Sequence, residues 1–170
     1  MMKLAIFMLF ASICCSQVEK HVFSCDEIER EYFIYLPQNF NSLSKVPAVL
    51  YFHGYGSSAE SEMEIKIKMH AIADSVGFVV VYPNAIEGKW KSGLESNPFF
   101  PVPNVNDVKF VDTLLDTLGV KFNVDMRRVY ATGHSNGGFM CFKIAIELGN
   151  RVAAIAPISC VLRVDTEINS

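Results

Sequence analysis

Five consecutive residues, Gly133-His134-Ser135-Asn136-Gly137, have the types and spacing of a nucleophile turn. A serine hydroxyl attacks a carbonyl well only when a base takes its proton and when donors stabilise the oxyanion that forms. Glycines two residues before and two after the serine permit a turn too tight for side chains, which lifts the Ser135 hydroxyl clear of a sheet. The apolar run Val129 to Thr132 leads into this turn as a strand, and Asn136 to Leu148, apolar nearly all round, leaves it as a helix. That strand–turn–helix setting is the context the pentapeptide requires, and the helix N-terminus adds partial positive charge where an oxyanion develops. Ser135 is therefore the candidate catalytic residue, and the chemistry is acyl transfer. A second turn, His53-Gly54-Tyr55-Gly56, closes the continuous apolar run Val46 to Phe52. Acyl transfer uses two backbone N–H donors. The amide of Asn136, directly after the nucleophile, and that of Tyr55 are the candidates for this oxyanion hole.

These turns need a rigid frame, and the chain supplies one by alternation. His21 to Ser24 and Arg30 to Leu36 read as a hairpin turning at Cys25-Asp26-Glu27, the second strand apolar on both faces. Val46 to Phe52, Phe78 to Tyr82, Val129 to Thr132 and Val152 to Ile158 read as buried strands, the pattern of a parallel sheet covered on both sides. Between them, Ser57 to Glu64 opens a helix whose apolar stripe is Ile65, Met69, Ile72, Ala73 and Val76, ended by Gly77. Asp107 is expected to cap a second helix, with the stripe Val111, Leu114, Leu115 and Leu118. The result is an α/β fold with a mostly parallel, doubly wound sheet. The long loop Asn84 to Asn106 carries Trp90 and Phe99-Phe100, for which two readings stay open: an aromatic wall for an acyl or phenolic group, with Trp90 as a substrate-binding residue, or core packing or a disordered loop.

The 170 residues are 51% hydrophobic and 19% charged, with net charge −3. That composition excludes a disordered or fibrous chain and offers no basic footprint for nucleic acid. Met1-Met2-Lys3, the apolar run Leu4 to Ile13 and Cys14-Cys15-Ser16 read as a cleaved secretion signal over residues 1–16, leaving a domain over 17–170 with no membrane attachment. Cys25, Cys141 and Cys160 then remain; one pair can form, and the odd count suggests a partner cysteine outside the chain. Cys141, in an apolar stretch, reads as an inert buried thiol. No spacing suits a zinc site.

Several segments in order are similar to the secreted α/β-hydrolase esterases grouped with polyhydroxybutyrate depolymerases, feruloyl esterases and acetylxylan esterases. They include Arg30-Glu31-Tyr32 through Leu36-Pro37, His53-Gly54-Tyr55-Gly56, Gly77-Phe78 through Tyr82-Pro83, Trp90, Asn106-Asp107 through Phe110, Arg127-Arg128 through Gly138, and Ala153-Ala154 through Pro157. The resemblance spans about residues 30 to 160. It implies a secreted serine carboxylic-ester hydrolase acting on a small-molecule or polymeric ester through Ser135, with donors at Tyr55 and Asn136 and no metal or organic cofactor.

One departure stands out. The family places an acid and then a histidine after the serine, yet His21, His53, His70 and His134 all precede Ser135. Asp125 reads as a local cap for the turn before Arg127, and Asp165 lies in a tail that no longer resembles the family. The chain is therefore expected to be the N-terminal part of the fold, without its last strands and its acid and histidine loops, and inactive alone. Two alternatives stay open. One is a non-catalytic secreted binding protein on a degraded hydrolase fold, disfavoured by the unpaired sheet edge it would expose. The other is a prolyl-oligopeptidase-like serine peptidase, which shares Gly-His-Ser-Asn-Gly-Gly but would carry a propeller.

Overall fold

A computed structural model of the chain describes residues 17–65, 67–93 and 98–162. The expected signal segment and Asp165 lie outside them. Two antiparallel strands, β1 (Val18–Cys25) and β2 (Ile28–Tyr35), open the fold. Asp26 and Glu27 both take positive φ at the turn between them, as a two-residue hairpin of right-handed twist requires. The chain continues through β3 (Val46–Phe52), α1 (Ala59–Ile65), α2 (Ile67–Val76), β4 (Val79–Pro83), α3 (Asp107–Lys121), β5 (Val124–His134), α4 (Asn136–Glu147) and β6 (Ala154–Ile158). The strands form one sheet in the order β1-β2-β4-β3-β5-β6. β4, β3, β5 and β6 are parallel, and β2 joins β4 antiparallel. The expected mostly parallel α/β sheet is present.

Strand periodicity divides the interior into two unlike layers. Leu50 and Phe52 of β3 and Val79 and Val81 of β4 join Phe110, Val111, Leu114 and Leu118 of α3 and Met140 and Ile144 of α4 in an aliphatic and aromatic core. The residues between them, Tyr51, Val80 and Tyr82, pack with Phe33, Tyr35, Ala59 and Ala73 on the other face. That second layer is held by phenols. Tyr51 Oη donates to Glu62 of α1 (3.0 Å), Tyr82 Oη hydrogen-bonds His70 Nε2 (3.0 Å), and Tyr35 Oη donates to Asp74 (2.9 Å). Burial raises the Tyr35 phenol to about 12 and lowers His70 below its ordinary range. The His70 ring also stacks on Tyr35 at 3.9 Å.

These contacts change the expected face of α2. Residues 69, 70, 73 and 74 turn to the sheet, so Ala73 is fully buried while Ile72 and Val76 are 54% and 71% exposed. Hydrogen bonds that tie His70 and Asp74 to the tyrosines of the sheet set the rotation of this helix, against what its apolar side chains alone would choose. Cap and anchor also exchange roles at α3. Asn106, not Asp107, caps the helix, its side chain accepting from Lys109 N at 2.9 Å. Asp107 instead points inward, where it accepts from Arg30 Nη2 of β2 (2.6 Å) and from Lys91 N (2.7 Å). Both members of the Arg30–Asp107 pair are buried, and the guanidinium lies over the Phe110 ring at 3.9 Å.

Removing one partner of a buried pair strands the other charge without water. Asp107→Ala should lower unfolding stability by about 3–5 kcal/mol in urea titrations. Asp107→Asn, which keeps an acceptor for Lys91 N, should lose less.

Candidate active site

Register brings the two glycine-bearing turns together. Phe52 pairs with Gly133, and Gly133 with Pro157, so β3, β5 and β6 end at one edge of the sheet. Ligand sites of open α/β sheets form at such an edge. Ser135 stands between β5 and α4 with φ 51° and ψ −113°, a conformation that costs a non-glycine residue roughly 1–3 kcal/mol. Its amide donates to Ile158 O of β6 (2.9 Å), and its carbonyl accepts from Phe139 N (3.0 Å). The hydroxyl makes no hydrogen bond among the described residues.

The flanking glycines are required by backbone contact. A Cβ on Gly137 would lie 2.0 Å from Phe52 O and 2.6 Å from His53 O. One on Gly133 would lie 2.7 Å from Phe52 O and from the Gly137 carbonyl group. The first turn of α4 therefore presses directly on the end of β3, and only hydrogen fits between.

Side chain-to-backbone hydrogen bonds then tie the His53 turn to the nucleophile turn. The buried Asn136 carboxamide accepts from Trp90 N (2.8 Å) and donates to Trp90 O (3.1 Å) and Ser92 Oγ (2.7 Å). The Trp90 indole N–H in turn donates to His53 O (3.1 Å). His53 has a definite tautomer, because Nε2 accepts from the backbone N–H of Ala85 (3.1 Å) and Nδ1 must carry the proton it gives to Gly54 O (2.8 Å). Burial holds this imidazole below its ordinary pKa, opposed by its bond to Gly54. The amides of Tyr55 and Asn136, the expected donors, have no partner among the described residues. The Tyr55 side chain donates to Pro101 O (2.9 Å) and meets Phe100 edge-on at 5.4 Å.

No described histidine is bonded to Ser135. His21 is on β1, at the far edge of the sheet, bonded to Glu19 and Lys121. His53 and His70 are engaged as above. His134 is exposed beside the Gly54 turn, its Nδ1 3.3 Å from where a Gly54 Cβ would be. Asp125 lies at the opposite end of the 11-residue β5, roughly 30 Å from Ser135 at strand spacing. Its carboxylate accepts from Arg127 N (3.1 Å) and Arg128 Nε (2.9 Å), which hold its pKa down. Sequence reasoning missed the Asn136–Trp90–His53 connection, which no motif spacing announces.

Residues 27–165 match the family model described as "Putative esterase". The chain belongs to this esterase family. It is 29% identical over 130 residues to the bifunctional acetylxylan esterase/xylanase XynS20E of Neocallimastix patriciarum, a stretch covering 76% of this chain and 18% of that one. It is 26% identical over 140 residues to feruloyl esterase D of Neurospora crassa, covering 76% and 45%. Two solved structures share its fold. An S-formylglutathione hydrolase from Agrobacterium tumefaciens superposes with TM-score 0.63 at 18% identity, over 82% of this chain and 56% of that one. A ferulic acid esterase gives TM-score 0.62 at 22% identity, over 81% and 58%. The sheet described above thus has the α/β-hydrolase type of fold, and the chain spans less than half the length of these two curated relatives.

Of the two readings of Trp90, wall or core, the geometry matches the core. Trp90 is fully buried, packed on Phe52, His53 and Phe110, with its one polar atom spent on His53 O. Phe99 and Phe100 are the exposed aromatics of that loop.

Two outcomes follow from this geometry. Gly137→Ala forces a methyl group into the Phe52 carbonyl and should cost about 3 kcal/mol or more, read as a lowered urea midpoint. Acid should also weaken the fold. The unfolded chain takes up a proton on His53 near pH 6.5, and the folded chain only at lower pH. Stability therefore rises with pH across this window and is lost as pH falls below it. His70 adds in the same sense. Thermal unfolding temperature should drop between pH 7 and about 5, and His70→Gln should flatten part of that slope.

Proposed function

We propose that the esterase is a secreted serine carboxylic-ester hydrolase in which Ser135 is the nucleophile. The supporting observation is the strained Ser135 backbone at a sheet-edge turn, its hydroxyl unbonded among the described residues and the α4 N-terminus behind it. Strain of this kind is held only where surrounding contacts over-determine it, here the glycine contacts with Phe52 and the bond to Ile158 O. Attack by Ser135 Oγ on an ester carbonyl gives a tetrahedral oxyanion, which the amides of Tyr55 and Asn136 stabilise. Collapse expels the alcohol and leaves an acyl-enzyme, which water hydrolyses. Because the His53 carbonyl is held by Trp90 and Trp90 is held by Asn136, the two donor segments keep a fixed relation as charge develops.

The base that accepts the Ser135 proton, and the acid that orients it, come from outside the described residues. The substrate is an acetyl or feruloyl ester, in line with the names of the relatives. Phe100 and the Tyr55 ring supply an aromatic border on the oxyanion side. Residues 1–16 direct export, and the mature protein starts near Gln17.

A fluorophosphonate probe applied to the protein in its full natural length should label Ser135, and Ser135→Ala should abolish labelling. A folded full-length protein that stays unlabelled overturns the reading. The 170-residue chain alone should hydrolyse nitrophenyl acetate no faster than a triad lacking a member, roughly 10³–10⁴ over water.

A further inference from the structure

We propose that Cys141 and Cys160 form a disulfide that ties the end of β6 to the helix behind the nucleophile. This inference stands apart from the catalytic role of Ser135.

Topology excludes the third cysteine. Cys25 ends β1 at one edge of the sheet, whereas Cys160 follows β6 at the other. Five strand spacings separate those edges, roughly 24 Å, against the roughly 7 Å between Cα atoms that a disulfide spans. Cys141 belongs to α4, which packs on β3, β5 and β6, strands three to five places from β1.

Local packing brings the other two together. Gly138, in the first turn of α4, has no side chain, and the Cys160 thiol occupies the vacated space. A Cβ on Gly138 would lie 2.3 Å from Cys160 Sγ and 3.1 Å from Ile158 O. Cys141 is three residues further along the same helix, so it shares that face, and helical side chains lean back over the preceding turn. Both sulfurs therefore address the gap that Gly138 leaves. Burial raises the Cys141 thiol to about 12, and the nearby Cys160 contributes.

Both residues are thiols in this structure. Cys141 is fully buried and Cys160 partly exposed, which orders the reaction. The Cys160 thiolate attacks one sulfur of a low-molecular-weight disulfide such as glutathione disulfide and expels one thiolate. The Cys141 thiolate then displaces the second thiol from the mixed disulfide. The external disulfide gains two electrons and becomes two thiols, the protein loses two, and the two S–H protons pass to the leaving thiolates. Closure is slow in the folded protein, because few Cys141 thiols are ionised at neutral pH, so the bond forms mainly as the chain folds. Once closed, it secures the strand whose Ile158 carbonyl holds the Ser135 amide.

The full chain, refolded in a glutathione redox buffer, alkylated under denaturing conditions and digested, decides the question by mass. The expected product is one linked peptide pair containing Cys141 and Cys160, two hydrogens lighter than the separate thiol peptides, with Cys25 alkylated. Cys25→Ser should keep the link and Cys160→Ser should remove it. Reduction should lower the unfolding temperature of the wild-type chain by several degrees and leave that of Cys160→Ser unchanged. Quantitative alkylation of both Cys141 and Cys160, or a link from either to Cys14, Cys15 or Cys25, overturns the proposal. The linkage map of the wild-type chain gives this answer even if a variant fails to fold.

Discussion

Contact between the first turn of α4 and the last carbonyl of β3 is the constraint on which this molecule's geometry rests. Phe52 O approaches the Cα positions of Gly133 and Gly137 so closely that no Cβ fits at either. Because the helix cannot recede, the chain must reverse within one residue between β5 and α4, and Ser135 takes a positive φ to do so. The strain is thus a consequence of packing. Parallel register completes the effect, since pairing of Phe52 with Gly133 ends both strands at one level and sets the His53 turn beside the nucleophile turn.

A set of buried polar groups transmits that placement outward. Asn136 grips the Trp90 backbone on both its N–H and its carbonyl, Trp90 reaches the His53 carbonyl, and His53 holds Ala85 and Gly54. One residue further on, Lys91 N is held by Asp107, which also pairs with Arg30 on β2. The long loop between β4 and α3 is thereby stitched to the sheet at residues 84–92, although it has little regular structure of its own. Buried polar groups are stabilising only when satisfied, so each bond makes the next obligatory.

The two faces of the sheet solve the burial problem differently. Beneath α3 and α4 the filling is almost wholly apolar, and complementary shape decides position. Beneath α1 and α2 three tyrosines carry hydroxyls inward, and each finds an acid or a histidine on a helix. Directional bonds therefore orient α2, at the expense of exposing Ile72 and Val76.

Much of the frame was legible in the residues alone. Continuous apolar runs marked β3 and β4 to within a residue, because strand burial on both faces leaves an unmistakable pattern. The stripe of α3 and the glycine-flanked Ser135 were likewise local signals. The absence of a histidine after Ser135 was visible by reading the chain. What only the tertiary structure decided involves partners far apart in sequence. Trp90, which the sequence left between a site wall and core packing, is a buried strut, because Asn136 and His53, each some forty residues distant, offer it matching groups. Asp107 changed from a cap to a buried anchor, because Arg30 stands opposite it across the fold. Periodicity records which face a residue turns to the interior; it carries no record of the hydrogen bonds that wait there.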